Sequence, residues 1–457
     1  MIYNPHTEDA YSLLHNGALA LQKAESNGFR IDTEYCSRKI HQLERKMVSL
    51  EEEFKETTFF RHWEHSTSGK VNINSPTQLS NYLYNIKKFK PTKFTETGKG
   101  STDEEALDAL NIPELKALAQ KGKLKKCKDV LEGFMTEQVN GVLHPSYNLH
   151  LVTTYRSSSS NVNMQNVPKR DPEAMKICRR AIIPREGHQL IEVDMSGAEV
   201  KIACCYHKDS TMLKYVTDPT TDMHRDMAKQ IFLLDDYNKE THGVLRQAAK
   251  NGFVFPEFYG DYYKNCANNL ACNWGQLPSG KWKAGQGIQI GDETLSDHLI
   301  SKGIKSFDNF VDHVKEVEDD FWGSRFVEYA EWKDRWWKSY RKNGYFVMLT
   351  GFACQGVLGK KEVVNYPVQG AAFHCLLKSF ILVDEIMRKE KWDSRLIGQV
   401  HDSMLLDCNP EELEHVNATI QKVVSETLPE LWKWIIVPLS TDTDIYGIDK
   451  SWADKES

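Results

Sequence analysis

The spacing of apolar positions puts helices first along the chain. Residues 10–26 carry a helical pattern that Gly28 interrupts. From about Ser37 to Glu53, Ile40, Leu43, Met47 and Leu50 recur at three- and four-residue steps, predicting a longer helix. In NSPTQLSNYL, Asn74 or Ser75 is the expected cap and Pro76 takes the first helical position. STDEEALDAL repeats the device, with Ser101 as cap, Glu104 three residues on, and Ala106, Leu107 and Leu110 as the buried stripe. LKALAQKGKLKKCKDVLEGFM reads as a strongly basic helix broken at Gly122.

The pattern changes near Gly141. TTYRSSSSNVNMQNVPKR is polar and turn-like, and HQLIEVDMSGAEVKIACCYHKD begins as a strand that runs into Asp194 and becomes helical from Ala198. Residues 222–260 read as helical, 264–292 as an inserted loop region rich in Gly, Trp and Asn, and 307–342 as helix again, ending at Gly344 before the strand YFVML. In LIGQVHDSMLLDC, two short apolar runs flank a polar His401-Asp402-Ser403 tip, the pattern of a tight hairpin.

Composition narrows the class. The 457 residues are enough for several packed subdomains. No run is apolar for the roughly 18 residues a membrane span needs, and the first residues lack a basic leader followed by an apolar run, so neither a membrane span nor a secretory signal is expected. Ten scattered cysteines favour reduced thiols in a cytosolic compartment over a zinc site. The formal charge of −6 does not by itself point to a phosphate-rich partner, but from Lys116 to Arg180 twelve Lys or Arg face five Asp or Glu. Such a local basic surface is compatible with a nucleic-acid track, although solvated basic surface is the commoner explanation.

Asp194 and Asp402 each end a strongly apolar strand pattern. Alone, either is as well explained as a cap or turn former. Together they matter because distant strands can join one sheet. Two carboxylates at neighbouring strand ends would make a hard oxygen site suited to Mg²⁺, to which the Met195 backbone carbonyl could add a donor. Two such ions would form a phosphoryl-transfer centre.

At this point the chain resembles the family A DNA polymerases, of the bacterial DNA polymerase I-like and phage types. VDMSGAEVKIACCYHKD is similar to their first palm motif, RQAAKNGFVFPEFYG to their fingers helix and QVHDSMLLD to their third motif. NINSPTQL, TTYRSSSSNVNMQNVP and NYPVQGAAFHCLLK agree in order, and GIDKSWAD is also typical. The resemblance implies an α+β right-hand polymerase with a palm sheet, a helical thumb and mostly helical fingers. The implied divisions are 1–99 as a palm-associated lead-in region, 100–150 as thumb, 151–210 as palm, 211–343 as fingers with the 264–292 insertion, and 344–457 as C-terminal palm. The basic stretch around Lys121–Lys128 looks like thumb, with its lysines on duplex phosphates.

The resemblance also assigns roles. Asp194 and Asp402 would hold two Mg²⁺ ions, with Mn²⁺ able to substitute. Arg246 and Lys250, i and i+4 on one helical face, would hold the triphosphate with His224 nearby. Phe255 and Tyr259 would meet the sugar and templating base, and Glu199 would close the pocket against a 2′-hydroxyl. Arg156, Gln165, Asn166, Asn365, Gln369 and His401 would contact primer and template, the amides in the minor groove. The implied partners are primer-template DNA, dNTPs and a separate proofreading exonuclease or processivity factor, for a monomeric subunit in the cytoplasm of a phage-infected bacterium. Because the likeness begins within the first thirty residues, intrinsic exonuclease activity is not expected. A single-subunit RNA polymerase and an inactive DNA-binding replication scaffold are the alternatives; Glu199 and the order of the six blocks argue against the first, and Asp194, Asp402, Arg246 and Lys250 together against the second.

Four departures from the family pattern stand out. Lys250 precedes Phe255 by five residues where four is usual, implying an insertion around Asn251–Val254 taken up as a helical bulge, with Pro256 straining the same stretch. Ser403 replaces a usual glutamate. Lys201 and Lys361 stand where arginine is common. Tyr155 replaces a glycine, and the sequence gives no physical reason for it.

Overall fold

The computed structural model describes residues 5–67, 69–91, 94–95, 97–169, 171–277 and 280–455. Parts of the expected lead-in region and of the 264–292 insertion (278–279) lie outside the described residues, as does Arg170.

Four strands form the central sheet: β1 (Gln189–Met195), β2 (Arg395–Val400), β3 (Ser403–Cys408) and β4 (Thr441–Ile445). They lie in the order β2-β3-β1-β4, all neighbours antiparallel. Alternation sends Ile191, Val193, Met404 and Leu406 into one core and Leu190, Leu405 and Ile397 into another. Both faces are covered, which is why these strands read as almost continuous apolar runs. The first face carries the 31-residue helix Lys360–Glu390, packed with Pro5–Asn27 and Ala198–His207. The second core extends to the paired helices Thr33–Lys55 and Leu115–Glu137. Among the described residues no helix is long and apolar enough to cross a membrane.

Local signals placed most boundaries. Helix Pro5–Asn27 stops at Gly28, whose φ is +67° and whose Cβ would lie 2.5 Å from the Leu143 carbonyl oxygen. Ser75 caps the helix that Pro76 opens. The expected break at Gly122 is absent, because the helix Leu115–Glu137 runs through it. A helical glycine costs about 1 kcal/mol, which the burial of Leu124, Cys127, Leu131 and Phe134 outweighs. Asp103, not Ser101, caps Glu104–Ala109, accepting from the Ala106 N–H at 2.9 Å. The expected insertion is helical at its start, with Tyr263–Asn268 and a π-turn at Asn269–Trp274 burying Cys266, Leu270 and Ala271.

The basic stretch needs a correction. Lys121 is buried, 2.6 Å from Glu51 and 2.8 Å from the Asn74 side-chain oxygen. Lys123 pairs with Asp171 at 2.7 Å and Lys128 with Glu132 at 3.0 Å. Three of the five lysines expected to face phosphates therefore hold the protein together, leaving Lys125 and Lys126 on the exposed side.

Candidate active site

Antiparallel register brings the two aspartates together. Asp194 lies opposite Ser403 on one side and Asp442 on the other, and the Met195 N–H donates to the Asp402 carbonyl at 3.3 Å. His401 bends the hairpin tip with a φ of +54°. Gln165 braces that tip, accepting from the His401 N–H and donating to the Gln399 side-chain oxygen at 3.1 Å. Thus a residue expected at the primer is engaged in holding the turn beside Asp402.

Between the carboxylates lies Lys169, its Nζ 3.3 Å from Asp194 Oδ2 and 3.7 Å from Asp402 Oδ1. Burial, and then the Asp402 charge, push Asp194 up to about 6 against the opposing pull of Lys169. Burial would depress the Lys169 ammonium, but Asp402 and Asp194 outweigh it and hold it above its usual range. The pair fits a divalent cation, since both donors are hard carboxylate oxygens at one sheet end and a single ammonium spans them. Among the described residues no group of three or more His, Cys, Asp or Glu is arranged for a metal.

Below Asp194, on the same face of β1, Glu192 is buried. Arg179 donates to it at 2.9 Å, Trp452 Nε1 at 2.9 Å, Tyr446 at 3.2 Å and the Ser403 hydroxyl at 3.0 Å. Burial would raise this carboxyl, yet Arg179 and the other donors hold it below the ordinary range. Ser403 is fully buried. A glutamate in its place would set a second carboxylate against Glu192, and this gives the departure at Ser403 its physical reason. The GIDKSWAD block also acquires a role, because Trp452 stacks under the Arg179 guanidinium at 3.9 Å and bonds the same carboxylate.

A cleft of about 190 Å³ gathers Arg156, Met195, Glu199, Gln369, His401 and Asp402. Glu199 sits in the first turn of Ala198–His207, entered through Gly197 at φ +61°. The Tyr259 hydroxyl donates to one Glu199 oxygen, and Arg156 lies 3.8 Å from the other. Asn365 donates to the Tyr259 carbonyl at 3.2 Å, tying the long helix to the same corner. Tyr155 beside Arg156 takes a φ of +56°, which explains why a glycine is usual there. Its hydroxyl donates to the Ala353 carbonyl at 2.8 Å and its ring lies 4.8 Å from Phe352, contacts that offset the strain.

A second cluster lies further back on the helix that ends at Tyr259. The five-residue spacing is a π-turn over Lys250–Val254, in which the Phe255 N–H reaches back to the Lys250 carbonyl. Pro256 then lies at the join between the π-turn and the following α-segment Phe255–Phe258. Lys250 Nζ lies 5.3 Å from the Phe255 ring centroid, and His224 meets that ring edge-on at 5.7 Å. Arg246 is held by Asp222 at 2.7 Å, and Asp222 also caps the helix bearing His224. Burial, then Lys250 and Arg246, bring His224 down to about 4, and its buried Nδ1 has no hydrogen-bond partner among the described residues. Asn166 stands apart from both clusters' bonding, exposed at the end of the turn Met164–Asn166.

Sequence reasoning missed Lys169, Glu192 and Asp222. Signals existed for two of them: Glu192 is an ionisable residue inside an apolar strand, and Asp222 directly precedes a helix in a capping position.

Comparison with known proteins agrees with this geometry. The family profile described as DNA polymerase family A matches residues 33–454. DNA polymerase I of Aquifex aeolicus is 28% identical over 410 residues, covering 88% of this chain and 60% of that protein. DNA polymerase I of Bacillus subtilis is 26% identical over 448 residues, covering 96% and 45%. The chain thus spans between about two fifths and three fifths of the length of the first curated relatives it matches. The solved POL domain of Pol1 from M. smegmatis, in complex with DNA primer-template and dNTP, superposes with a TM-score of 0.73 at 20% identity, covering 94% of this chain and 68% of that one. With the α+β palm-and-helix architecture shared and the profile spanning nearly every described element, the chain belongs to DNA polymerase family A.

Proposed function

We propose that the protein performs template-directed DNA synthesis, extending a primer 3′ end with deoxynucleoside triphosphates and releasing pyrophosphate. The observation that carries this reading is the joining of Asp194 and Asp402 at one sheet end beside Glu199, in a chain of family A. Asp194, Asp402 and the Met195 carbonyl would hold two Mg²⁺ ions, or Mn²⁺, which when bound acidify the primer hydroxyl and neutralise charge on the leaving pyrophosphate.

The remaining work falls to side chains. Arg246 and Lys250 bind the triphosphate, Asp222 keeps the Arg246 guanidinium in place, and Lys250 donates a proton toward pyrophosphate. His224 is neutral near pH 7, and its unpartnered Nδ1 offers a hydrogen bond to the same phosphates. About 13 Å of helix separates Lys250 from Tyr259, a distance that lets one nucleotide meet the cations at one end and Glu199 at the other. Glu199, fixed by Tyr259 and Arg156, closes the sugar pocket against a 2′-hydroxyl, and Phe255 packs toward the sugar. Gln369, Asn365, His401, Arg156, Gln165 and Asn166 line the primer and template side, with Gln165 acting through the hairpin tip. The palm, thumb and fingers divisions, the cytoplasm of a phage-infected bacterium, and a separate exonuclease or processivity factor belong to the same proposal.

Magnesium-dependent primer extension tests it. Asp194→Ala and Asp402→Ala are each expected to slow extension about a thousandfold, roughly 4 kcal/mol of barrier. Extension by either variant at a rate comparable with wild type would overturn the assigned centre, and equal use of ribonucleotides by wild type would favour an RNA polymerase.

A further inference from the structure

Lys169 belongs to none of the motifs, yet among the described residues its ammonium is the cation that lies against both aspartates. Its backbone is constrained on both sides. Pro168 precedes it, and Asp171 caps the helix Pro172–Arg179 while pairing with Lys123 at 2.7 Å. The stem starts within reach of the end of β1, where its head meets Asp194. The side chain is 41% exposed, so water lies along its path and the head can turn outward. Lysine suits such a place, being a compact point charge on a flexible stem and not a planar fork locked by two bonds. Three carboxylates act on it, because Glu192 adds its charge from below to those of Asp194 and Asp402. Two like charges at one sheet end repel, and a cation between them removes that repulsion. A divalent ion would use the same oxygens.

We propose that Lys169 is a built-in counter-cation of the carboxylate pair, competing with divalent ions for Asp194 and Asp402 and so setting the ion concentration at which the site fills. The proposal rests on the reading of these aspartates as metal ligands. Lys169 is a positioning residue here, acting on the carboxylates and not on substrate. With the ammonium present, an entering ion must displace it or bear its repulsion; without it, the ion meets only negative charge.

The test is direct Mn²⁺ binding to the DNA-free protein, followed by calorimetry or by the paramagnetic signal of free Mn²⁺, for wild type, Lys169→Met, Lys169→Arg and Asp194→Ala. Lys169→Met is expected to bind roughly tenfold more tightly, since one unit charge a few ångströms away is removed at a partly solvated site. Lys169→Arg keeps the charge and should bind within about twofold of wild type. Thermal melting gives a second readout. Lys169→Met should melt below wild type in chelator, where the aspartates repel unscreened, and the gap should close in saturating Mg²⁺. If Lys169→Met binds Mn²⁺ as wild type does, or more weakly, while Asp194→Ala loses the site, the counter-cation role is overturned and the metal site stands. If Asp194→Ala binds unchanged, the metal-site reading itself fails and takes this proposal with it.

Discussion

The clearest residue-scale lesson is the exchange between positions 192 and 403. A glutamate is usual at the second position, and its replacement by serine implies a different metal shell or water network with activity retained. The structure gives a different reason. Glu192 already fills this part of the sheet with a carboxylate satisfied by Arg179, Trp452, Tyr446 and Ser403. Restoring the usual residue with Ser403→Glu should therefore harm the protein. A second buried carboxylate beside Glu192 is expected to cost about 2–4 kcal/mol, seen as a lower urea midpoint. The reciprocal pair Glu192→Ser with Ser403→Glu should recover much of the loss, because one carboxylate again faces Arg179 and Trp452. Equal midpoints for wild type and Ser403→Glu would refute this account. The sequence showed the departure but not its cause, since Glu192 and Ser403 are 211 residues apart and meet only through sheet register. Tyr155 is a parallel case. Its left-handed backbone accounts for the usual glycine, and the contacts with Phe352 and Ala353 that make tyrosine tolerable come from nearly 200 residues away.

At the scale of elements, legibility followed locality. The hairpin 395–408, the strand into Asp194 and the cap at Ser75 were written in neighbouring residues and fold as read. The insertion after Lys250 was legible only against the family pattern, in which the ring follows the lysine by four, and a π-turn absorbs the residue left over. Gly122 and Ser101 misled for the opposite reason, with packing overriding the first and a better-placed Asp103 displacing the second. Just beyond the π-turn, Glu257 ties three elements together. It is buried, accepting from Trp322 Nε1 at 2.9 Å in the turn Phe321–Arg325 and from the Cys266 thiol at 3.4 Å in the helix Tyr263–Asn268. Burial pushes its carboxyl up to about 8, far above an unfolded glutamate. The folded state therefore holds a proton that the unfolded state releases between pH ~4.5 and ~8. The stabilising contribution of that proton is complete below the unfolded pKa and is lost as pH rises through the folded one. Glu257→Gln keeps the acceptor and cannot ionise. Its stability relative to wild type should rise from pH 5 to pH 9 and then level, by on the order of 3 kcal/mol. A flat difference across that range in thermal or urea unfolding would show that Glu257 stays ionised in the folded protein.

Over the whole molecule, charge is sorted by tertiary contact in a way no linear count reveals. The net value of −6 hides a basic stretch, and the stretch in turn hides which of its lysines are already committed. Lys121 is buried against Glu51 and Asn74, binding the helix Leu115–Glu137 to Thr33–Lys55, while Lys123 bonds Asp171 at the start of another helix. Lys125 and Lys126 are exposed on the same helix and form no ion pair with the described residues. Holding the fold thus takes some lysines of this helix, and the proposed DNA contact has only the others to use. Each lysine neutralising a phosphate releases a counterion, so it adds close to one unit to the slope of log affinity against log salt. Replacing Lys125 and Lys126 together with alanine should lower the slope for primer-template binding by roughly 1–2 while leaving the unfolding midpoint almost unchanged. Lys121→Ala should do the reverse, leaving Glu51 without its closest cation and costing about 1–3 kcal/mol of stability with the slope intact. Filter binding or fluorescence anisotropy over a salt series, set beside urea unfolding of the same variants, separates the two effects. If the outward lysines changed stability and the buried one changed the slope, this division of charge between holding the fold and holding DNA would be reversed.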